Sequence, residues 1–215
     1  MPHHLSGHER RLLRRIDAMG EKESVRIAGV IHDTAVNGPG RRAIVHFQGC
    51  NLGCPGCFNT NTHDPNSGRL VTVGALADEL VKKNPDGISI SGGEPFQQIT
   101  ALKALVTALR RRKIVSILVF TGYTLREIEQ RPHGAQALEG IDVVVAGRFD
   151  ATLSSGGALL GSANQRIHLL TNAHEVDELQ VGESKAELHI GKDGTIQVTG
   201  FPSPKLRRAL RLLKK

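Results

Sequence analysis

Four short apolar runs, each ending in a glycine loop, limit what this chain can fold into. Ala43–Gln48 ends at Gly49, Ile88–Ile90 runs into Ser91-Gly92-Gly93, Ile114–Phe120 ends at Thr121-Gly122, and Ile141–Val145 ends at Ala146-Gly147. Runs of this length and β-branched content read as strands buried on both faces, as in a parallel sheet. Helical patterns separate them. Val73, Leu76, Leu80 and Val81 follow a capping Thr72; Leu102, Leu105, Val106 and Leu109 share one face over Ile99–Arg112; and Thr124-Leu125-Arg126-Glu127 has the form of a capping box. This alternation predicts an α/β fold with a parallel sheet and right-handed crossovers, specifically a partial, open (β/α) barrel. Such folds carry their chemistry at the carboxyl ends of strands. The cysteine loop, Glu94, Tyr123 and Asp150 are therefore expected on one rim.

The first of those strand ends holds all three cysteines, in Gly49-Cys50-Asn51-Leu52-Gly53-Cys54-Pro55-Gly56-Cys57-Phe58. Thiolates this close in sequence, with glycines that permit a sharp backbone, suit a soft metal centre. Three is one ligand fewer than a closed structural zinc site or a fully ligated four-iron cluster uses. The leading reading is a [4Fe-4S] cluster with one iron left open to a reactant. A structural zinc site completed by His46 or His63 is the alternative; buried, unmetallated cysteines have no reason to gather among glycines in a polar loop. Ser91-Gly92-Gly93-Glu94-Pro95 presents consecutive backbone amides and carbonyls plus one carboxylate, which suits a small zwitterion. Read blandly, it is a strand-to-helix turn with Glu94 at the helix N-terminus.

At 215 residues the chain fits one core with additions. Residues 1–24 read as a basic N-terminal helix, with a capping box at Ser6–Glu9 and Leu12, Leu13, Ile16 and Met19 at helical spacing. Residues 25–170 form the expected core, opening with a strand at Val25–Ile31. Asn37-Gly38-Pro39-Gly40 is a turn, and Asn59–Gly68 reads as irregular. Residues 171–215 are expected to add a hairpin, Leu188–Ile190 with Thr195–Val198, and then a basic helix opened by Ser203 and Pro204. That helix, with Lys205, Arg207, Arg208 and Arg211 around an apolar stripe, is expected to assist partner docking. No apolar run is long enough to span a bilayer, and the N-terminus has no secretion-signal core, so the expected location is cytoplasmic and no membrane partner is expected. An odd, clustered cysteine set agrees with a reducing compartment. The net charge of +7 points to an anionic partner or patch, but 3% aromatic content argues against nucleic acid as that partner.

In order along the chain, Asn37-Gly38-Pro39-Gly40, the Cys50, Cys54, Cys57 loop, Ser91–Pro95, Thr121-Gly122-Tyr123 and Gly161–Arg166 resemble a known motif series. It is that of the radical S-adenosylmethionine (SAM) superfamily and, within it, of the anaerobic ribonucleoside-triphosphate reductase activating proteins. The likeness spans about Asn37 to Ile167. It implies a radical SAM oxidoreductase of the type that activates formate C-acetyltransferase or ribonucleotide reductase. Such an enzyme cleaves SAM reductively at a [4Fe-4S] cluster and takes a hydrogen from one glycine of a partner, a glycyl radical enzyme. By position, the resemblance implies that Cys50, Cys54 and Cys57 ligate the cluster and that Ser91, Gly92, Gly93, Glu94 and Tyr123 hold SAM, with no further catalytic residue. It also implies a low-potential electron donor such as flavodoxin or ferredoxin. The chain departs from the family at Ala146, where Asp often precedes the glycine. The rival functions are a radical SAM enzyme modifying a different peptide, protein or RNA, and a non-catalytic iron–sulfur or zinc module.

Overall fold

The four apolar runs become the middle of a seven-stranded sheet. The computed structural model describes residues 19–153, 157–180, 185–191 and 193–213. Its strands are β1 (Ser24–Thr34), β2 (Arg42–Phe47), β3 (Arg69–Thr72), β4 (Gly87–Gly92), β5 (Ile117–Thr121), β6 (Val143–Ala146), β7 (Arg166–Leu169), β8 (Ala186–Ile190) and β9 (Ile196–Gly200). The helices are α1 (Val73–Val81), α2 (Ile99–Arg111), α3 (Leu125–Glu129), α4 (Gly134–Leu138), α5 (Val176–Gln180) and α6 (Pro204–Leu213). The sheet order is β3-β1-β2-β4-β5-β6-β7, and β8 pairs with β9 alone.

β2, β4, β5 and β6 run parallel, as the strand–helix alternation predicts. The flanking β1, β3 and β7 run antiparallel to their neighbours, so the sheet is mixed. The reason at β1 is chain length, because residues 35–41 alone join it to β2 and a parallel return needs a crossover of a dozen or more residues. β3 and β7 are four-residue strands whose sequences, RLVT and RIHL, are too short and too polar to stand out. Both expected helix caps form: the Thr72 hydroxyl accepts from Ala75 N–H, and Thr124 and Glu127 make the reciprocal capping box. The N-terminal capping box at Ser6–Glu9 and the helix through Ile16 lie outside the described residues; residues 19–21 are helical.

Period-2 alternation decides what each face of the sheet touches. Val45, Phe47, Ile88, Ile90, Ile117, Val119 and Val144 pack against Leu76 and Leu80 of α1 and Leu102, Leu105 and Leu109 of α2. The other face carries Leu118, Val143 and Val145, covered by Leu159, Leu160 and Leu179, with Phe120 and Phe201 packed alongside. On β2 and β4 that second face presents His46 and Ser91, which sit opposite each other in register. One face is thus closed by helices and the other by the last third of the chain.

At the opposite end of the strands, Arg42 is fully buried. Its Nε donates to Ser89 Oγ (2.8 Å), Nη1 to Pro39 O (3.1 Å) and Ser116 Oγ (3.0 Å), and Nη2 to Ile88 O (2.8 Å) and Ser116 O (3.3 Å). Burial pulls its pKa down to about 10, which still leaves it a cation whose five donors are satisfied. Nearby, Ser116 Oγ lies 2.6 Å from His174 Nε2, and His174 Nδ1 lies 3.1 Å from Glu178 Oε2. That order mimics a nucleophile, base and acid, but Ser116 is buried beneath Arg42, so the set latches the C-terminal segment to the sheet. The hairpin of β8 and β9 is fastened on the same face. Thr199 Oγ1 donates to Asn37 Oδ1 (2.7 Å), Ala35 N–H donates to Glu187 Oε1 (3.0 Å), and the Phe120 and Phe201 rings lie 5.7 Å apart.

Candidate metal and cofactor site

Beyond Phe47 the chain leaves the sheet but stays tethered. Gln48 Nε2 donates to Asp64 O (2.7 Å) and Asn61 O (3.2 Å), Gly49 N–H to Thr62 O (2.8 Å), and Cys50 N–H to His63 O (3.0 Å). The loop then turns through the left-handed region at Gly49 (φ 100°), Gly53 (φ 63°) and Gly56 (φ 73°), where a side chain is disfavoured. Cys57 N–H donates to Cys54 O (3.1 Å), closing the turn. All three cysteines are free and half-buried. Burial pushes the Cys50 and Cys57 thiols up, while backbone N–H groups of Leu52 and Asn59 reach those two sulfurs and oppose the rise. A cationic metal centre would favour the thiolate forms outright.

Among the described residues, no three His, Cys, Asp or Glu side chains converge as they would around a single ion. The zinc alternative with His46 or His63 therefore has no assembled ligand set. A cubane cluster asks for something different, because each thiolate takes a different iron and the sulfurs stand apart at its corners. Cys50, Cys54 and Cys57 line one cavity with Ser91, Gly92, Gly93 and Glu94, at the carboxyl ends of β2 and β4. The donor set fits a three-thiolate cluster beside a cofactor pocket.

Gly92, the last residue of β4, and Gly93 after it serve first to bring the end of β4 against the end of β2 and the start of the cysteine loop. A Cβ on Gly92 would lie 2.4 Å from Phe47 N, and one on Gly93 would lie 2.3 Å from Gly49 O. The amides expected to face a ligand are already committed, because Gly93 N–H donates to Phe47 O (2.7 Å) and Glu94 N–H to Gly49 O (2.8 Å). Glu94 has no exposed surface. Its carboxylate accepts from Phe96 N–H (3.0 Å), Thr121 Oγ1 (2.8 Å) and Gly122 N–H (2.8 Å), tying the end of β4 to the end of β5. Burial, the largest effect, lifts its pKa to about 7 against the pull of those bonds.

The expected rim forms in part. Glu94 and Gly122 join the cysteines around the cavity. Tyr123 stands behind it as a strut: its hydroxyl accepts from Gln97 Nε2 (3.2 Å), Gln97 also bonds Asn51 of the cysteine loop, and Arg131 lies over its ring at 4.5 Å. Asp150 accepts from Thr152 N–H (2.9 Å) and Oγ1 (2.6 Å) and shapes its own turn. His46 lines the cavity, and burial alone lowers its pKa to about 4, leaving a neutral imidazole. Ala146 is buried in the core, so the position where the family often has Asp is an apolar packing site here.

Two contributors escape sequence reasoning. Val198–Phe201 of the appended hairpin line the cavity, and Phe58 meets Phe149 edge to face at 5.7 Å. Each depends on pairing across a long stretch of chain, for which local spacing carries no signal. Gln165, within the Gly161–Arg166 motif, braces the cavity by accepting from Gly161 N–H (2.8 Å) and donating to Gly147 O (2.8 Å).

The model of a family described as a 4Fe-4S single cluster domain matches residues 36–168. Among curated proteins, the chain is 36% identical over 145 residues to the anaerobic ribonucleoside-triphosphate reductase-activating protein of Escherichia coli, spanning 63% of this chain and 92% of that protein. The protein of the same name from Vibrio cholerae is 35% identical over 148 residues, with 63% of this chain and 92% of that protein covered. Pyruvate formate-lyase 1-activating enzyme of Escherichia coli is 34% identical over 97 residues, 42% of this chain and 39% of that enzyme. The family match covers β2, β4, β5 and β6 with the cysteine and Ser91–Glu94 loops, and on these grounds the chain belongs to the 4Fe-4S single cluster domain family and to the anaerobic ribonucleoside-triphosphate reductase-activating proteins.

Proposed function

We propose that this protein is a radical SAM activase that generates a glycyl radical on a partner enzyme such as anaerobic ribonucleotide reductase. One observation carries the reading: the three cysteines and the Ser91–Glu94 loop line the same cavity, at adjacent parallel strand ends, in a chain of the activating-protein family. Cys50, Cys54 and Cys57 hold the [4Fe-4S] cluster. When bound, the cluster supplies the electron for reductive cleavage of SAM, whose 5'-deoxyadenosyl fragment takes a hydrogen atom from the partner's glycine.

The rest of the work belongs to this chain's own residues. Gly92 lets the SAM loop lie against the end of β2 and Gly93 against the start of the cysteine loop, and Glu94 fixes the distance to β5. Glu94 has its oxygens already engaged, so it would hold SAM by keeping the loop in place. Ser91, Gly92 and Gly93 complete the wall of the SAM site, while Tyr123 positions the cysteine loop through Gln97 and Asn51. We read the sheet as a partial, open (β/α) barrel, a reading supported by helices on one face and the cavity on the other. Residues 25–170 are its core and 171–215 an addition that closes it. No helix among the described residues is long and apolar enough to cross a membrane; the protein acts in the reducing cytoplasm, where flavodoxin or ferredoxin supplies electrons.

The test is anaerobic incubation of reconstituted protein with reductant, SAM and the candidate reductase. The expected products are 5'-deoxyadenosine and an EPR doublet from the partner. Deoxyadenosine accompanied by a closed-shell change on a peptide or RNA would replace this reading with the rival one.

A further inference from the structure

We propose that Arg207, reaching back from α6, is a redox-tuning residue: its guanidinium is held over Phe58, the residue after Cys57, and raises the potential at which a cluster on that loop accepts an electron. The inference rests on the cluster reading above but not on the identity of the partner. Arg207 belongs to the C-terminal addition, beyond the matched residues 36–168.

The placement is built rather than incidental. Arg207 Cζ lies 4.9 Å from the centre of the Phe58 ring and 5.4 Å from that of Phe149, and the two rings meet edge to face at an interplanar angle of 87°. Its Nε donates to Pro202 O (2.7 Å), which fixes the fork against its own helix start. Phe58 directly follows Cys57, and Arg207 and Cys57 line the same groove of about 680 Å³ between β1, the cysteine loop and the appended hairpin. Two aromatic faces hold the cation by their quadrupoles and keep water from one side of it.

Arginine stays charged at any pH the fold survives, so this is a fixed positive charge. One-electron reduction makes a cluster more negative by one unit, and a nearby fixed cation stabilises the reduced form more than the oxidised form. The local environment of the sulfurs and nearby charge are recognised levers on such potentials. The neighbouring Arg208 is exposed, so it carries the same charge on the same helix without the clamp and supplies an internal control.

The experiment is an EPR-monitored potentiometric titration of anaerobically reconstituted full-length protein, without SAM or partner. Arg207→Gln should lower the midpoint potential by an amount equal to about a tenfold loss in the reduction equilibrium, about 59 mV for one electron. Arg207→Lys should retain most of the wild-type value, and Arg208→Gln all of it. An unchanged midpoint in an Arg207→Gln protein with full iron content would overturn the proposal, as would an equal shift in Arg208→Gln. If Arg207→Gln fails to load iron, Phe149→Leu decides, since it keeps the charge but removes one wall of the clamp: a downward shift supports the proposal and no shift overturns it. Absence of any iron–sulfur cluster in the wild-type protein would instead strike the functional reading itself.

Discussion

At the scale of single residues, His46 and Glu94 share one cavity and respond to pH in opposite directions. Glu94 has its folded pKa raised to about 7, so its contribution to stability is complete below its unfolded value near 4.5 and is lost as pH rises through about 7. His46 has its folded pKa lowered to about 4, so its contribution is complete above its unfolded value near 6.5 and is lost as pH falls through about 4. The two slopes overlap and largely cancel in the wild type. Chemical denaturation of the apo-protein should therefore show Glu94→Gln gaining stability as pH rises from 4 to 6.5, and His46→Phe losing it between 4.5 and 7, by up to about 3 kcal/mol each. Parallel pH profiles for both variants and the wild type would show that neither shift exists. Gly93 offers a second residue-level test. Because its Cβ would strike the Gly49 carbonyl, Gly93→Ala should displace the cysteine loop and cut iron loading on reconstitution several-fold, well before any effect on SAM is measured. Undiminished iron content would mean that the two loops move independently. The contact this glycine pair serves lies between two segments more than forty residues apart, which no local pattern encodes.

At the scale of elements, the legible parts were those governed by period and capping. The four parallel strands, α1, α2 and the Thr124 cap follow from apolar spacing and side-chain oxygens at helix starts. Edge strands β3 and β7 were not legible, because strand partners supply what their sequences lack. Arg42 was not legible either, since a cation beside a glycine turn reads as surface until Ser89 and Ser116 are brought to it. Its five bonds pin the starts of β2, β4 and β5 together, so Arg42→Leu should cost roughly 3–5 kcal/mol in denaturant unfolding, and Arg42→Lys a large part of that for want of a planar fork. A loss below about 1 kcal/mol for Arg42→Leu would assign the junction to apolar packing instead.

At the scale of the whole molecule, the C-terminal addition does more than extend a minimal core. Val198, Thr199, Gly200 and Phe201 line the cavity wall, and Phe201 packs on Phe120 of β5. Closing the open face of the sheet in this way should slow oxidant entry, so Phe201→Ala should load iron normally under anaerobic conditions yet lose its cluster absorbance several times faster in air. Equal bleaching rates would leave the hairpin without a shielding role. The central claim, that the assembled cavity transfers a hydrogen atom from a partner's glycine to a fragment of SAM, is tested most directly with an anaerobic ribonucleotide reductase labelled with deuterium at its glycine α-carbons. The account predicts monodeuterated 5'-deoxyadenosine by mass spectrometry, together with a partner radical whose EPR doublet collapses to a singlet. Unlabelled deoxyadenosine with no radical in the partner would contradict it.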